Sequence, residues 1–308
     1  MSRTTTFLLV AVACFALFAR PTATRSAPDE SRKPADKKTP RLTPLNKQQT
    51  VLLDAEGKRL LVKAKVSLRD GLLEMFCCLK QTKEHESVVS VDARAHVIHT
   101  GLLAIGAKTG APVRFRPKYT PPTGDRIDIF VNWKDENGKS HRVDARQWIQ
   151  HAVRRFYVVK MKVLPADVTI PKEGELRFDR TNEELLWYGH MTVKQRDQLL
   201  ALSGDKTFRK AIGYFFKQSQ RRAMKAEWVF AGSGFYVDEK SGEKSYLAEA
   251  GDLICVANFP SAMIDIAIES TATGEQNLMF EAYTEHVPPL GTDVTIELTP
   301  AKPRVKSR

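Results

Sequence analysis

Short apolar segments separated by turn residues make up most of this 308-residue chain, and they constrain its fold more than any other feature. These segments have the length of β-strands, and they occur before residue 150 and again after Trp228. Helical spacing prevails between residues 181 and 225, and no repeat of fixed period is present. We therefore predict an α+β protein: a β-rich single domain with a mixed or antiparallel sheet, one helix after the first strands, and an inserted helical pair.

The first half of the folded part predicts one helix among several strands. Asp92 is a suitable N-cap for a helix over residues 93–105, in which Ile98, Leu102 and Ile105 form a buried stripe. The strands expected in this half cover residues 50–53, 59–66, 72–79, 87–91, 113–115, 127–133 and 141–143.

The helical pair contains a basic amphipathic helix. Thr192 and Gln195 form a capping-box signal for the first helix of the pair, and Asp205 is a suitable cap for the second. The second helix has an apolar arc and, beside it, a basic arc made of Lys206, Arg209, Lys210, Lys217 and Arg221. This pattern predicts a contact with an anionic surface or a partner; the alternative is a solvated face over a helix that packs on the core.

The N-terminus has the layout of a secretory signal. Arg3 precedes an apolar run at residues 7–19, and small residues follow. A helix needs about 20 apolar residues to cross a bilayer, so this run is too short for a permanent span, and we expect no transmembrane span after signal removal. The expected domains are a signal peptide at 1–27, a disordered basic Pro-rich linker at 28–48, the folded domain at 49–300 with the helical insertion at 181–225, and a basic tail at 301–308.

The sequence around Cys14 leaves the mode of signal cleavage open. Residues 11–14 resemble a bacterial lipoprotein cleavage box, which would leave the exported protein lipid-anchored through Cys14; the alternative is ordinary cleavage that releases it to the periplasm or the medium. The net charge is +12, and it stays positive after signal removal because residues 1–27 contain only three arginines and no acids. This balance favours an anionic envelope surface or a protein partner, whereas export disfavours nucleic acid.

Three cysteines remain in the folded part, namely Cys77, Cys78 and Cys255. An odd number permits at most one intramolecular disulfide. Adjacent strand residues point to opposite faces, so a bond between Cys77 and Cys78 is disfavoured, whereas either could reach Cys255 on a neighbouring strand. Three buried thiols that act as small apolar residues are the alternative.

Two histidines and a carboxylate form a candidate metal site. His85 and Glu86 lie in a probable loop between buried strands, and His99 lies on the following helix. Two imidazole nitrogens and a carboxylate suit zinc or another divalent metal, with a bound water as the nucleophile. Structural histidines beside a solvated charged loop are the alternative interpretation.

Other chemical motifs point away from common cofactors. Glycine-rich phosphate loops, dinucleotide fingerprints and C-x-x-C pairs are absent, which disfavours nucleotide, flavin and thioredoxin-type chemistry. Ser233 stands between glycines without the G-x-S-x-G spacing of a hydrolase elbow, so it indicates a tight turn. Pro260 and small polar residues interrupt a strand-like run at residues 258–263, as a turn or a pocket edge does.

Several of these segments together resemble the YdjY-domain family of bacterial proteins. They are LEMF at residues 73–76, KEHES at 83–87, HTGLLAIG at 99–106, WVFAGSG at 228–234 and GDLICVANFPSAM at 251–263. The resemblance covers residues 49–298, and the helical insertion is its least typical part. It implies an exported single domain, but the family has no established biochemical activity. Some members carry a ferredoxin-type label, which three cysteines do not support because a four-iron cluster normally needs four.

The sequence thus predicts an exported cell-envelope protein that acts as a non-catalytic binding or structural module. Two alternatives stay open: a metal-dependent enzyme that uses His85, Glu86 and His99, and an envelope-surface adaptor that docks through the basic helix. The sequence permits a divalent metal as a cofactor and disfavours an iron–sulfur cluster and a nucleotide.

Overall fold

The computed structural model describes residues 41–171, 173–270 and 278–302. Within these residues the chain forms eighteen strands and three α-helices. In chain order the strands are β1 Thr43–Pro44, β2 Val51–Asp54, β3 Arg59–Val66, β4 Met75–Leu79, β5 Ser87–Val91, β6 Arg126–Lys134, β7 Ser140–Asp144, β8 Ile149–His151, β9 Phe156–Lys160, β10 Leu176–Asp179, β11 Glu184–Tyr188, β12 Trp228–Val229, β13 Phe235–Val237, β14 Lys244–Tyr246, β15 Ile254–Cys255, β16 Asp265–Ile266, β17 Phe280–Ala282 and β18 Asp293–Pro300. The helices are α1 Ala95–Ala104, α2 Val193–Leu202 and α3 Lys206–Gln218.

An eleven-stranded sheet organises the larger part of the domain. Its strand order is β15-β4-β5-β3-β18-β6-β12-β16, with β1 and β2 added beside β3 and with β7 beside β6. The β4–β5 pair is parallel, whereas β3, β18 and β6 pair antiparallel. The predicted α+β class with a mixed sheet is therefore confirmed. The last strand, β18, lies in the middle of the sheet, so the two ends of the folded domain meet there.

Alternating burial along the strands builds the main core. In β3 the side chains of Leu60, Val62 and Val66 are buried, while the intervening lysines are exposed, as the two-residue period of a strand requires. The buried stripe of α1 packs against β2 and β3. Gly101 permits this close approach, because a Cβ atom there would lie 2.5 Å from Cδ1 of Leu60.

The start of α1 differs from the prediction. The helix begins at Ala95, and Arg94 takes the N-cap position without a side-chain hydrogen bond. Asp92 does not cap the helix: its carboxylate lies 3.7 Å from the Lys80 ammonium group, and its carbonyl oxygen accepts a hydrogen bond of 2.7 Å from the Thr50 hydroxyl. That bond holds Asp92 in the connection that follows β5.

A second hydrophobic core forms around the predicted helical pair. Strands β9, β10 and β11 make a separate three-stranded sheet, and its inner face packs on α3. The side chains of Leu185, Trp187, Phe208, Ile212 and Phe215 are buried in this core. We call residues 156–218 the satellite subdomain.

The two helices of the satellite follow the sequence prediction closely, whereas its strands do not. Thr192 and Gln195 form the capping box, and the Asp205 carboxylate accepts a hydrogen bond of 2.8 Å from the Phe208 backbone N–H. Helix α3 ends at Gln218, before residue 223, near which its spacing predicts the end. Buried Ser219 follows it, and its hydroxyl accepts a hydrogen bond of 3.0 Å from the backbone N–H of Met191.

Ordered structure starts before the predicted residue 49. Strand β1 pairs with β2, and the Leu45 side chain packs against the main core. The Asn46 side-chain oxygen also accepts a hydrogen bond of 3.0 Å from the backbone N–H of Thr50. These contacts place residues 41–48, which were assigned to the linker, in the folded domain. The predicted signal peptide, most of the linker and most of the basic tail lie outside the described residues.

Across residues 41–171, 173–270 and 278–302, no helix is both long and apolar enough to cross a membrane.

Candidate functional site

Four segments that carry the family resemblance converge at one place in the structure. The turn around Lys83, the helix α1, the glycine-flanked Ser233 and the loop at residues 251–263 are joined there by ion pairs and by side-chain and backbone hydrogen bonds. Gly232 N–H donates to the carbonyl of Met263 at 2.9 Å, and Met263 N–H donates to the carbonyl of Asp252 at 2.9 Å. This convergence defines the candidate functional site.

A single ammonium group lies among three carboxylates at one end of the site. The Nζ atom of Lys83 is 3.1 Å from Asp252 and 3.7 Å from both Glu74 and Glu86. It also lies 4.8 Å from the centre of the Phe259 ring, a distance that permits a cation–π contact. We call Lys83, Glu74, Glu86 and Asp252 the Lys83 cluster.

The charges of the Lys83 cluster affect one another strongly. Burial opposes the charged form of Lys83, but the attraction of Asp252, with Glu74 and Glu86, outweighs burial and raises the lysine pKa above its usual value. Burial and the neighbouring Glu86 carboxylate raise the pKa of Glu74, although Lys83 opposes them. The cluster holds three acids and one base, so Lys83 is a fixed cation that stabilises the surrounding negative charge.

A chain of hydrogen bonds leads from the cluster to α1. The Ser261 hydroxyl donates to the Asp252 carboxylate, and the Ser233 hydroxyl donates to the Ser261 carbonyl at 2.7 Å. The Tyr246 hydroxyl lies beside Ser233 and donates to the Gly232 carbonyl at 3.1 Å. We call Ser261, Ser233, Tyr246 and His99 the serine chain.

His99 ends the serine chain in an aromatic environment. Its Nδ1 atom is 2.8 Å from the Tyr246 hydroxyl oxygen, and its ring packs edge-on against Phe230 at a centroid distance of 4.9 Å. Burial lowers the pKa of His99, which favours the neutral ring. The Tyr246 hydroxyl uses its hydrogen in the bond to the Gly232 carbonyl, so its oxygen accepts the bond from His99. We therefore assign the proton of the neutral His99 ring to Nδ1. Burial also raises the pKa of Tyr246 well above its usual range.

Ser233 adopts an unusual backbone conformation. Its φ angle is +59°, in the left-handed region that residues other than glycine seldom occupy. Holding such a residue costs of order 1 kcal/mol or more and persists where the surroundings enforce it. Here the enforcing contact is the hydrogen bond from the Ser233 side chain to Ser261. In place of the predicted tight turn, residues 231–234 form an irregular connection between β12 and β13, and Ser233 joins it to the loop at residues 251–263.

A buried carboxyl group lies beneath the Lys83 cluster. Asp265 is fully buried, and its Oδ1 atom accepts hydrogen bonds from the Asn258 amide at 3.1 Å and from the Ile266 N–H at 2.8 Å. Its Oδ2 atom has no hydrogen-bond partner among the described residues. Burial raises the pKa of Asp265 to about 7, although the bonds from Asn258 and Ile266 oppose the rise. Asp265 is therefore close to half-protonated near neutral pH.

The structure does not assemble the predicted metal ligands into one centre. His85 is exposed over 77% of its side chain and lies 3.8 Å from the Glu86 carboxylate, which faces Lys83 instead. His99 belongs to the serine chain. Among the described residues, no group of three His, Cys, Asp or Glu side chains has an arrangement that could hold a metal ion.

The three cysteines of the folded part are free and buried. Burial raises the pKa of Cys77, Cys78 and Cys255 above the usual thiol value. A thiol must be ionised to attack a substrate, so these cysteines are poor nucleophiles. The sequence left open either one disulfide or three buried thiols, and the structure contains three buried thiols.

The five predicted basic residues of α3 fall into two groups. Arg209 donates hydrogen bonds to the carbonyl oxygens of Leu200 and Ser203 near the helix start, and Arg221 pairs with Glu285 at 2.8 Å. The other three are Lys206, Lys210 and Lys217, which are exposed and form no ion pair with the described residues.

Sequence reasoning missed most of the candidate site. It singled out His85, Glu86, His99 and the turn at Ser233, but it assigned no role to Asp252 or to Tyr246. Asp252 and Lys83 come from distant parts of the chain, so no local spacing marks them as partners. Only the family resemblance, which includes residues 83–87 and 251–263, could have suggested that these segments belong together.

The fold and the converging loops define a β-rich α+β domain built around a buried ionic cluster. Comparison with protein families gives a match to the YdjY domain over residues 48–163 and 201–299. This match covers most of the chain, which therefore belongs to the YdjY domain family. The unmatched residues 164–200 contain β10, β11 and most of α2 of the satellite. No curated protein and no solved structure matches the chain.

Proposed function

We propose that this protein is an exported, non-catalytic binding module of the cell envelope. The observation that carries the proposal is that the side chains of the serine chain are engaged in holding loops together. The hydroxyls of Ser233 and Ser261 both donate to fixed acceptors, and His99 contacts Tyr246 rather than either serine. A nucleophilic mechanism needs a hydroxyl or thiol bonded to a base that can take its proton. No serine hydroxyl is bonded to His99, and the base beside Ser261 is the Asp252 carboxylate, which is already paired with Lys83.

The remaining parts of the chain fit the same proposal. Residues 1–27 act as the export signal, and the Pro-rich residues that follow connect the domain to the site of attachment or release. Cys14 is the lipid attachment point if the signal is cleaved in front of it. The folded domain then carries the binding function outside the cytoplasm.

An activity screen tests the absence of catalysis. Chromogenic esters, phosphate esters, glycosides and amides are incubated with the wild type and with the variants Ser261→Ala and His99→Gln. We expect the three proteins to give equal rates at the level of the buffer blank, because neither residue is placed to activate a nucleophile. Turnover by the wild type that a folded Ser261→Ala or His99→Gln variant loses would contradict the proposal.

A second candidate function is docking to an anionic envelope surface through α3. It is favoured by Lys206, Lys210 and Lys217, which lie on one exposed side of the helix without carboxylate partners among the described residues. Arg209 and Arg221, which complete the predicted basic arc, are engaged within the fold and contribute less. Each lysine near an anionic lipid surface contributes about 1 kcal/mol, and salt screens this attraction.

Vesicle sedimentation tests the docking function. We expect the wild type to sediment with phosphatidylglycerol vesicles at low salt and to be released as salt rises. Replacing Lys206, Lys210 and Lys217 with serine should remove about 3 kcal/mol of this attraction. A matched triple change at the exposed Lys118, Lys139 and Lys240 should have a smaller effect. Equal loss in both triple variants would show that net charge, and not α3, is responsible.

A further inference from the structure

Strand β9 lies at an open edge of the satellite sheet. The strand order is β10-β11-β9, so among the described residues β9 has a ladder partner on one side only. The N–H of Met161, just after β9, donates to the carbonyl of Glu183 at 2.7 Å. Hydrogen bonding alternates along an antiparallel ladder. The backbone groups of Phe156, Val158 and Lys160 therefore face away from β11, and no backbone hydrogen bond outside the ladder joins them to another described residue.

The open edge is accompanied by exposed apolar side chains. Phe156, Val158 and Tyr188 are exposed over 43%, 41% and 42% of their surfaces. They line a groove of about 400 Å³ whose opposite side includes Leu72 and Ala152. Natural edge strands are commonly protected by prolines, bulges or several charges, because an open edge can pair with another chain. Within β9 the only charged residue is Lys160, and it already pairs with Glu184 at 2.9 Å.

Two arginines give this edge a positive charge. Arg155 lines the groove, and the Arg177 guanidinium carbon lies 5.4 Å from the centre of the Phe156 ring. Neither forms an ion pair with a described carboxylate, whereas the neighbouring Arg154 is bonded to Asp70. Arg177 belongs to β10, and its side chain reaches across β11 toward Phe156, so Arg155 is the arginine nearest the open edge. An acidic segment would complement Arg155, and its backbone would complete the hydrogen bonds of the open edge.

We propose that β9 binds an extended acidic peptide segment of a partner protein, which adds to the satellite sheet as a fourth strand. Alternate apolar side chains of the peptide contact Phe156, Val158 and Tyr188, and a carboxylate of the peptide pairs with Arg155. Such strand addition obtains affinity from backbone hydrogen bonds and specificity from alternate side chains. The proposal rests on the proposed function, because it names the partner class of the binding module.

Peptide selection on the purified protein tests this inference. A random peptide display library is panned against the wild type, and the selected peptides are synthesised with and without N-methyl groups at alternate backbone positions. We expect peptides with alternating apolar and acidic residues that bind the wild type. N-methylation of the pairing positions should weaken binding about tenfold or more, because it removes the backbone donors.

Two variants locate the binding to β9. Val158→Pro removes an N–H that faces the open edge, a position at which an edge strand tolerates proline. Arg155→Glu reverses a charge and leaves the backbone intact. Each should weaken the selected peptides about tenfold or more, while circular dichroism and the unfolding temperature report whether the satellite stays folded.

Three results would overturn this inference. The first is that no peptide is selected. The second is that the selected peptides bind the folded variants Val158→Pro and Arg155→Glu as tightly as they bind the wild type. The third is a wild-type dimer that Val158→Pro converts to a monomer. The last result would mean that a second copy of the chain covers the edge. Each of them leaves the proposed function standing, because that proposal fails through turnover in the activity screen.

Discussion

Replacing Lys83 with methionine is expected to destabilise the protein by up to about 3 kcal/mol, because removal of the one cation from a partly buried ionic cluster leaves three carboxylates uncompensated. Glu74, Glu86 and Asp252 would then face one another without a counter-charge, and Asp252 is exposed over only 6% of its side chain. In a domain of this size the change corresponds to a fall of roughly 10 °C in the midpoint of thermal unfolding. Chemical denaturation at neutral pH measures the loss of unfolding free energy directly.

The matched control for this prediction is Lys80→Met. Lys80 lies 3.7 Å from Asp92, and both side chains are exposed, so this ion pair contributes less than about 1 kcal/mol. Acidification should also reduce the difference between Lys83→Met and the wild type, since the raised pKa of Glu74 lets it lose its charge first. If Lys83→Met unfolded at the same denaturant concentration as Lys80→Met, the Lys83 cluster would have no stabilising role.

Replacing Asp265 with asparagine is expected to remove a dependence of stability on pH. The ordinary pKa of this carboxyl is 3.8, and burial raises it to about 7 in the folded protein. The unfolded chain therefore loses the proton at lower pH than the folded protein does. The stability that Asp265 contributes in its protonated form is present below pH 4 and is lost as the pH rises through 7.

The size of this effect follows from proton linkage. Between pH 5 and pH 8 the loss amounts to about 2–3 kcal/mol for the wild type, whereas the uncharged Asp265→Asn side chain contributes none. The unfolding free energies of the wild type and of Asp265→Asn are measured at several pH values, and one is subtracted from the other. Burial also raises the pKa values of Glu74 and Glu281, but their contributions cancel in this difference because both proteins contain them. A difference that stays constant from pH 5 to pH 8 would contradict the raised pKa.

Local signals in the sequence predicted much of the fold. The capping residues Thr192 and Asp205 fixed the starts of both satellite helices, because a capping side chain bonds to the backbone only a few residues away. The two-residue alternation of β3 predicted that strand completely, since its inner face is buried and its outer face is solvated. Such features depend on neighbours in the sequence.

Other parts of the structure depend on distant partners. Strands β9, β10 and β11 were missed because each is short and depends on the satellite sheet and on α3 for burial of its inner face. The candidate site has the same difficulty: the ion pair of Lys83 and Asp252 exists only because β15 pairs with β4. The metal hypothesis joined His85 to His99 by their nearness in sequence, but the fold orients His99 toward Tyr246.

The measurement that tests the central claim most directly is the metal content of the purified protein. The folded domain is prepared untagged and without chelators, incubated with zinc, manganese, iron and copper, and analysed beside the variant His85→Ala/His99→Ala. A non-catalytic module built around the Lys83 cluster predicts metal far below one ion per chain, at equal levels in both proteins. Near-stoichiometric metal in the wild type that disappears from a still-folded variant would contradict this account and favour the metal-dependent enzyme.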